Sequence, residues 1–95
     1  MSYKFDGKNL KYSSRTIANV RGNRICEGTG TKTVANIRNN NICQGTGTST
    51  LANVRGRNIC ERTGTSKIAT LDQVDKVIDG PGGITKAALW YMFVK

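Results

Sequence analysis

The residues best suited to do chemistry in this chain are arginines that recur in step. Arg21, Arg38 and Arg55 stand one per seventeen residues, with Arg24 and Arg57 close by. A regular row of guanidinium groups suits phosphate, whose charge and oxygen geometry match paired N–H donors. Polyanion binding through these five residues is therefore one expectation. The aromatics that would stack on single-stranded bases are not interleaved with them, since Tyr3, Phe5 and Tyr12 all precede the row. No helix-turn-helix, zinc-finger or RNP motif is present. A bland reading competes, in which cationic turns and edges only deter sheet-to-sheet aggregation.

Other chemistries have less to stand on. The chain has no His, and Asp72, Asp75 and Asp79 follow helical spacing, which fits a solvated helix face better than an acid/base pair. A Cys nucleophile would lack a histidine base. Cys26, Cys43 and Cys60 recur in register, but zinc wants four ligands around one point, and only close stacking of the repeats would bring three thiols together. Reduced, core-lining thiols are the simpler reading. The Gly28-Thr29-Gly30-Thr31 link and its copies could form anion nests, yet the chain has no G-x-x-x-x-G followed by Lys-Ser/Thr, as a P-loop would require. Flat Thr rows would also suit an ice lattice, against which the surrounding charge argues. The expectation is a non-enzymatic protein with no cofactor and no metal.

The elements that must position the arginines come from one phrase written three times: TIANVRGNRICEGTGTK, TVANIRNNNICQGTGTS and TLANVRGRNICERTGTS, residues 16–66. A strict short period means a small unit stacked on copies of itself. Each half is too short for a helix and rich in β-branched residues bounded by Gly and Asn, so strands are expected. Gly22-Asn23, Asn39-Asn40 and Gly56-Arg57 sit where a two-residue hairpin turn needs positive φ. Folding about the first turn sets Arg21 opposite Arg24, Val20 opposite Ile25, Asn19 opposite Cys26 and Ala18 opposite Glu27. Val20, Ile25 and Ala18 then share one face, while Ile17, Asn19, Cys26 and the arginines share the other. Val20, Ile25, Ile37, Ile42, Val54 and Ile59 form the expected core.

Linked this way the units make an antiparallel meander; a short β-solenoid is the alternative. Equivalent residues lie about 9 to 10 Å apart in the first and about 4.8 Å apart in the second. The turn dipeptides favour the meander. Phe5–Leu10 can be laid over Val20–Ile25, so residues 1–15 read as a degenerate first repeat.

After residue 66 the phrase restarts and stops. Thr70 can cap a helix, with Gln73 at capping-box spacing and Leu71, Val74 and Ile78 on one face, ended by Gly80-Pro81. The segment Ile84–Val94 is apolar almost all round and is expected as a helix laid on the sheet, a terminal strand from Trp90 to Val94 being the alternative. Leu89, Trp90, Met92 and Phe93 would close the core or serve as an interface to a second copy. One domain, 1–95, is expected: mainly β, with one or two C-terminal helices in residues 67–95.

Together the repeats and the tail, ATLDQVDKVIDGPGGITKAALWYMFVK, resemble a group of small bacterial proteins built of RG(N/D)-x-I-x-x-GTG repeats with a DGPG and AALW ending. Such proteins are found on mobile genes such as integron cassettes. The resemblance implies no activity and no functional residues.

Charge completes the reading. Fifteen Lys and Arg against six acids give +9, and +8 of that lies in residues 1–66. Any electrostatic function therefore belongs to the repeats. The start of the chain does not read as a signal peptide and no run is long enough to span a bilayer, so a cytoplasmic protein is expected. Two functions follow as expectations. One is a structural or protein-interaction module, self-associating through its apolar C-terminal segment. The other is sequence-nonspecific nucleic-acid binding by the Arg row.

Overall fold

A computed structural model describes residues 3–80 and 83–94. The repeats fold as an antiparallel meander. Strands β1 (Tyr3–Phe5), β2 (Asn9–Tyr12), β3 (Arg15–Arg21), β4 (Arg24–Glu27), β5 (Thr33–Arg38), β6 (Asn41–Gln44), β7 (Thr50–Arg55), β8 (Asn58–Glu61) and β9 (Lys67–Thr70) lie side by side in chain order. Helix α1 (Leu71–Val77) follows, then the short strand β10 (Ile78–Asp79), helix α2 (Ile84–Leu89) and a π-helical turn, Trp90–Val94.

The hairpin registers are those the turns dictate: Arg21 pairs with Arg24, Val20 with Ile25 and Asn19 with Cys26. Gly22, Asn39 and Gly56 all have φ near +60°, and each is the first residue of its turn. Positive φ at the first turn position alone is the sign pattern of a II′ turn. Arg57, second in its turn, is therefore unstrained.

Each link adds one residue the alternation did not foresee. In the pairing of β4 with β5, Ile25 faces Ala35 and Cys26 faces Thr33, leaving Val34 as a bulge. The same irregularity recurs between β2 and β3, β6 and β7, and β8 and β9. Bulges bend a strand and increase its twist. The bulge residues Ile17, Val34 and Ile68 consequently turn in against the core. Ile17 does not stay on the face of Asn19 and Cys26, where strict alternation would put it.

Four bulges in equivalent places curl the sheet. A flat ten-stranded sheet would be about 43 Å wide, yet α1, about 10 Å long at seven residues, connects β9 at one edge to β10 at the other. The molecule measures 36 × 28 × 18 Å. The sheet is not closed into a barrel, because α1 rather than a strand pair bridges its two edges. β10 completes the far edge by pairing parallel to β1, Tyr3 with Ile78 and Lys4 with Asp79.

The concave face is lined by cross-strand pairs of one large and one small residue: Leu10 with Ala18, Ile25 with Ala35, Ile42 with Ala52 and Ile59 with Ala69. The small partners leave room for α2, which packs on β5 and buries Ala87, Ala88 and Leu89 completely. Of the six expected core residues, Ile25, Ile42 and Ile59 are fully enclosed, while Val20, Ile37 and Val54 are half-buried at the turn ends of their strands. Burying an isoleucine fully stabilises by about 1.5–3 kcal/mol, so the three central ones dominate.

Two parts of the tail differ from expectation. The capping box forms as the spacing requires, with Thr70 Oγ1 accepting from Gln73 N and Gln73 Oε1 accepting from Thr70 N. The helix then ends at Val77, earlier than the apolar spacing suggests, because Ile78 leaves it to pair with β1. Pro81, half of the expected helix stop, lies outside the described residues. The last segment is helical, as α2 and the π turn, and not a terminal strand. Within it Lys86 is buried too, its Nζ donating to Asp75 Oδ1 at 3.0 Å and to the Gly80 carbonyl at 3.1 Å. A buried ammonium is tolerated because it is paired, and this one ties α2 to the end of α1 and to the turn after β10.

Candidate polyanion-binding face

On the convex face each hairpin carries the same construction. Asn19, Asn36 and Asn53 lie two residues before the end of β3, β5 and β7 and are buried, at 5%, 7% and 5% exposure. Their Nδ2 groups donate to two carbonyls of the link that follows. Asn19 reaches Gly28 and Gly30 at 2.8 and 3.1 Å, and Asn36 reaches Gly45 and Gly47 at 2.7 and 3.0 Å. Asn53 reaches Arg62 and Gly64 at 2.5 and 3.1 Å. The link thus folds back over the convex face. Beside each Asn sits its cross-strand partner, Cys26, Cys43 or Cys60.

The thiols are buried and free, but on the face opposite the isoleucine core, so they do not line the centre as expected. They stand on β4, β6 and β8, two strands apart, which is about 9 to 10 Å.

Two of these asparagines, Asn19 and Asn36, also orient an arginine. Nε of Arg21 donates to Oδ1 of Asn19 at 3.1 Å, and Nε of Arg38 to Oδ1 of Asn36 at 3.1 Å. A guanidinium has five N–H donors in a fixed fork; spending Nε on the Asn leaves both Nη groups for a ligand. Arg21, Arg38, Arg55 and Arg24 are all exposed.

Two concavities flank this row, of about 230 and 370 Å³. The first is lined by Asn23, Arg24, Asn36, Ile37, Arg38 and Thr46. The second includes Asn40, Asn41, Asn53, Val54, Arg55 and Thr63. Each of these six is the counterpart, one repeat on, of a residue in the first. Their origin is shared as well: Ile37 N donates to the Asn23 carbonyl and Val54 N to the Asn40 carbonyl, both at 2.8 Å, so the longer strand overreaches the shorter one onto its turn.

One repeat further on, the charges are exchanged. Leu71 N donates to the Arg57 carbonyl at 2.8 Å, the same turn interaction. Here Arg57 takes the place of Asn40, and Asp72 the place of Arg55. Arg57 Nη2 bonds Asp72 Oδ1, with Asp75 Oδ2 3.6 Å away. The hydrogen bond to Asp72 and the two negative charges raise the Arg57 pKa above its ordinary value. Arg57 is thus set apart from the row in which spacing alone places it.

The apolar segment is placed differently. Leu89 is wholly enclosed, whereas Trp90, Met92 and Phe93 are half-buried against the core. Phe93 shares a surface hollow with Arg15, Ile17 and Gly28, and Tyr91 shares one with Leu51, Arg62 and Ile68, so the segment lies toward the link end of the sheet. Among the described residues no group of His, Cys, Asp or Glu is arranged to hold a metal ion, and no helix is long and apolar enough to cross a membrane.

Sequence reasoning found the arginines, and weighed the links that carry Thr46 and Thr63 only as anion nests or ice-binding rows, but passed over the asparagines. The signal for Asn was present: a residue depleted in strands stands at one strand position in all three repeats. Comparison of the chain with protein-family models, curated proteins and solved structures finds no match.

Proposed function

We propose that this protein binds phosphodiester polyanions, nucleic acid above all, without sequence preference, through the convex face of its repeats. The observation that carries this reading is the Asn-held arginine: Arg21 and Arg38 are exposed but have Nε fixed from beneath. Ordering a long cation in the free protein reduces the entropy lost on binding. A basic side chain needed only for solubility gains nothing from that. The surplus of charge in residues 1–66 supports the same reading. The test is fluorescence anisotropy with short DNA and RNA over a salt series. Binding should weaken steeply with salt, and replacing Arg21, Arg38 and Arg55 together by Gln should abolish it with folding intact. Unchanged affinity in that variant refutes the assignment.

A second reading, a protein-interaction module, is favoured by the half-exposed Trp90, Met92 and Phe93 at the link end. Light scattering on the same samples tests it, since self-association through this segment predicts a defined oligomer that Trp90→Ser breaks.

A further inference from the structure

We infer that phosphate is taken one group at each junction between successive repeats, in two seats built by Arg38 and Arg55, and that the array is ended by the ion pair of Arg57 with Asp72. This rests on the polyanion reading and adds where the charges go.

Each seat combines four things a bound phosphate monoanion requires. A guanidinium fork supplies charge and paired donors: Arg38 in the first seat and Arg55 in the second. An exposed hydroxyl, Thr46 or Thr63, stands on the link that folds back across the face. A turn amide, Asn23 or Asn40, also lines the seat. No carboxylate lines either seat, so nothing there repels an anion. The seats lie two strands apart, about 9 to 10 Å, and phosphate interactions of this kind position a nucleic acid without reading its bases.

Beyond the second seat the chain supplies its own anion. At the third position Asp72 stands where the seat-forming arginine would be, and Arg57 is bonded to it. A ligand phosphate arriving there would meet the carboxylates of Asp72 and Asp75, so the row of seats stops although a basic residue is present.

Counterion release gives a readout for this assignment. On duplex DNA the slope of log K against log salt falls by about 0.9 for each phosphate that the protein ceases to neutralise. The experiment measures that slope for a short DNA duplex with the full chain and with Arg38→Gln, Arg55→Gln, Lys32→Gln, Arg57→Gln and Thr46→Val plus Thr63→Val. Each variant's fold is checked by circular dichroism. Arg38→Gln and Arg55→Gln should each lower the slope by about 0.9. Lys32→Gln and Arg57→Gln remove the same charge from exposed positions and should leave the slope within about 0.3 of the parent, a third of one phosphate's share. The double Thr variant should weaken binding severalfold with the slope unchanged.

If Lys32→Gln lowers the slope as much as Arg38→Gln, binding is diffuse and the seats are refuted while the polyanion reading stands. If Arg57→Gln lowers it as much as Arg55→Gln, the array does not end at Asp72. If the parent binds no duplex at low salt, the polyanion reading fails first, a result separable from the other two.

Discussion

Arg38 Nε donates to Asn36 Oδ1 at 3.1 Å, and Asn36 in turn holds the carbonyls of Gly45 and Gly47. A buried amide therefore serves a loop with one end and a surface cation with the other. Replacing Asn36 by Ala removes two donors from a loop whose carbonyls can turn to water, at a cost of about 1–2 kcal/mol. The melting temperature should drop by about 4–8 °C per kcal/mol. With the loop unclamped, the Cys43 thiol beside it should react faster with a thiol reagent. An unchanged thiol rate would mean the link is held by other interactions.

Arg62 stands where the first two links have Gly28 and Gly45, and all three have φ between 51° and 59°. The left-handed region costs a residue with a Cβ about 1–2 kcal/mol, partly offset by the greater entropy glycine loses on folding. Arg62→Gly should therefore stabilise by about 0.5–1 kcal/mol, read as a higher urea midpoint at constant m-value. A lower midpoint would show that the Arg62 side chain, which borders a hollow together with Leu51, Ile68 and Tyr91, contributes more by packing than its backbone costs.

Gly80 carries the sharpest steric demand among the described glycines. Its φ is +124°, and a Cβ there would stand 1.8 Å from the Phe5 carbonyl oxygen. Since neither backbone can yield while β10 stays paired to β1, Gly80→Ala should cost about 3 kcal/mol or more. The damage should be local at first, with hydrogen exchange accelerating at Tyr3–Phe5 before the central strands. Uniform acceleration across the sheet would instead make this edge part of the global folding unit.

Most of the fold was legible because its governing signals are local. Gly22-Asn23 and its copies set the hairpins, and the registers of β3 with β4, β5 with β6 and β7 with β8 follow from two-residue turns without further information. The bulges at Ile17 and Val34 were not legible, since the link can join the strands with or without one, and a single residue reverses the face on which an apolar side chain falls. Ile78 illustrates a second limit. Its helical spacing is real, but pairing with Tyr3, far away in the chain, outweighs the local preference. In the candidate site the arginines were visible by type and period. The pairing of Arg57 with Asp72 was not, because it depends on where α1 begins relative to the last hairpin.

The helix that spans the gap between β9 and β10 also decides how many units this protein can contain. An open stack of repeats can gain or lose a member at little cost, since each touches only its neighbours. Here one more seventeen-residue unit would push the last strand about 9 to 10 Å further round, nearly the whole length of α1, and its loss would drive α1 into β1. Duplication or deletion of a unit is thus a change in circumference that the bridging helix has no slack to absorb. The bridging helix therefore fixes the count of hairpins together with the girth of the sheet.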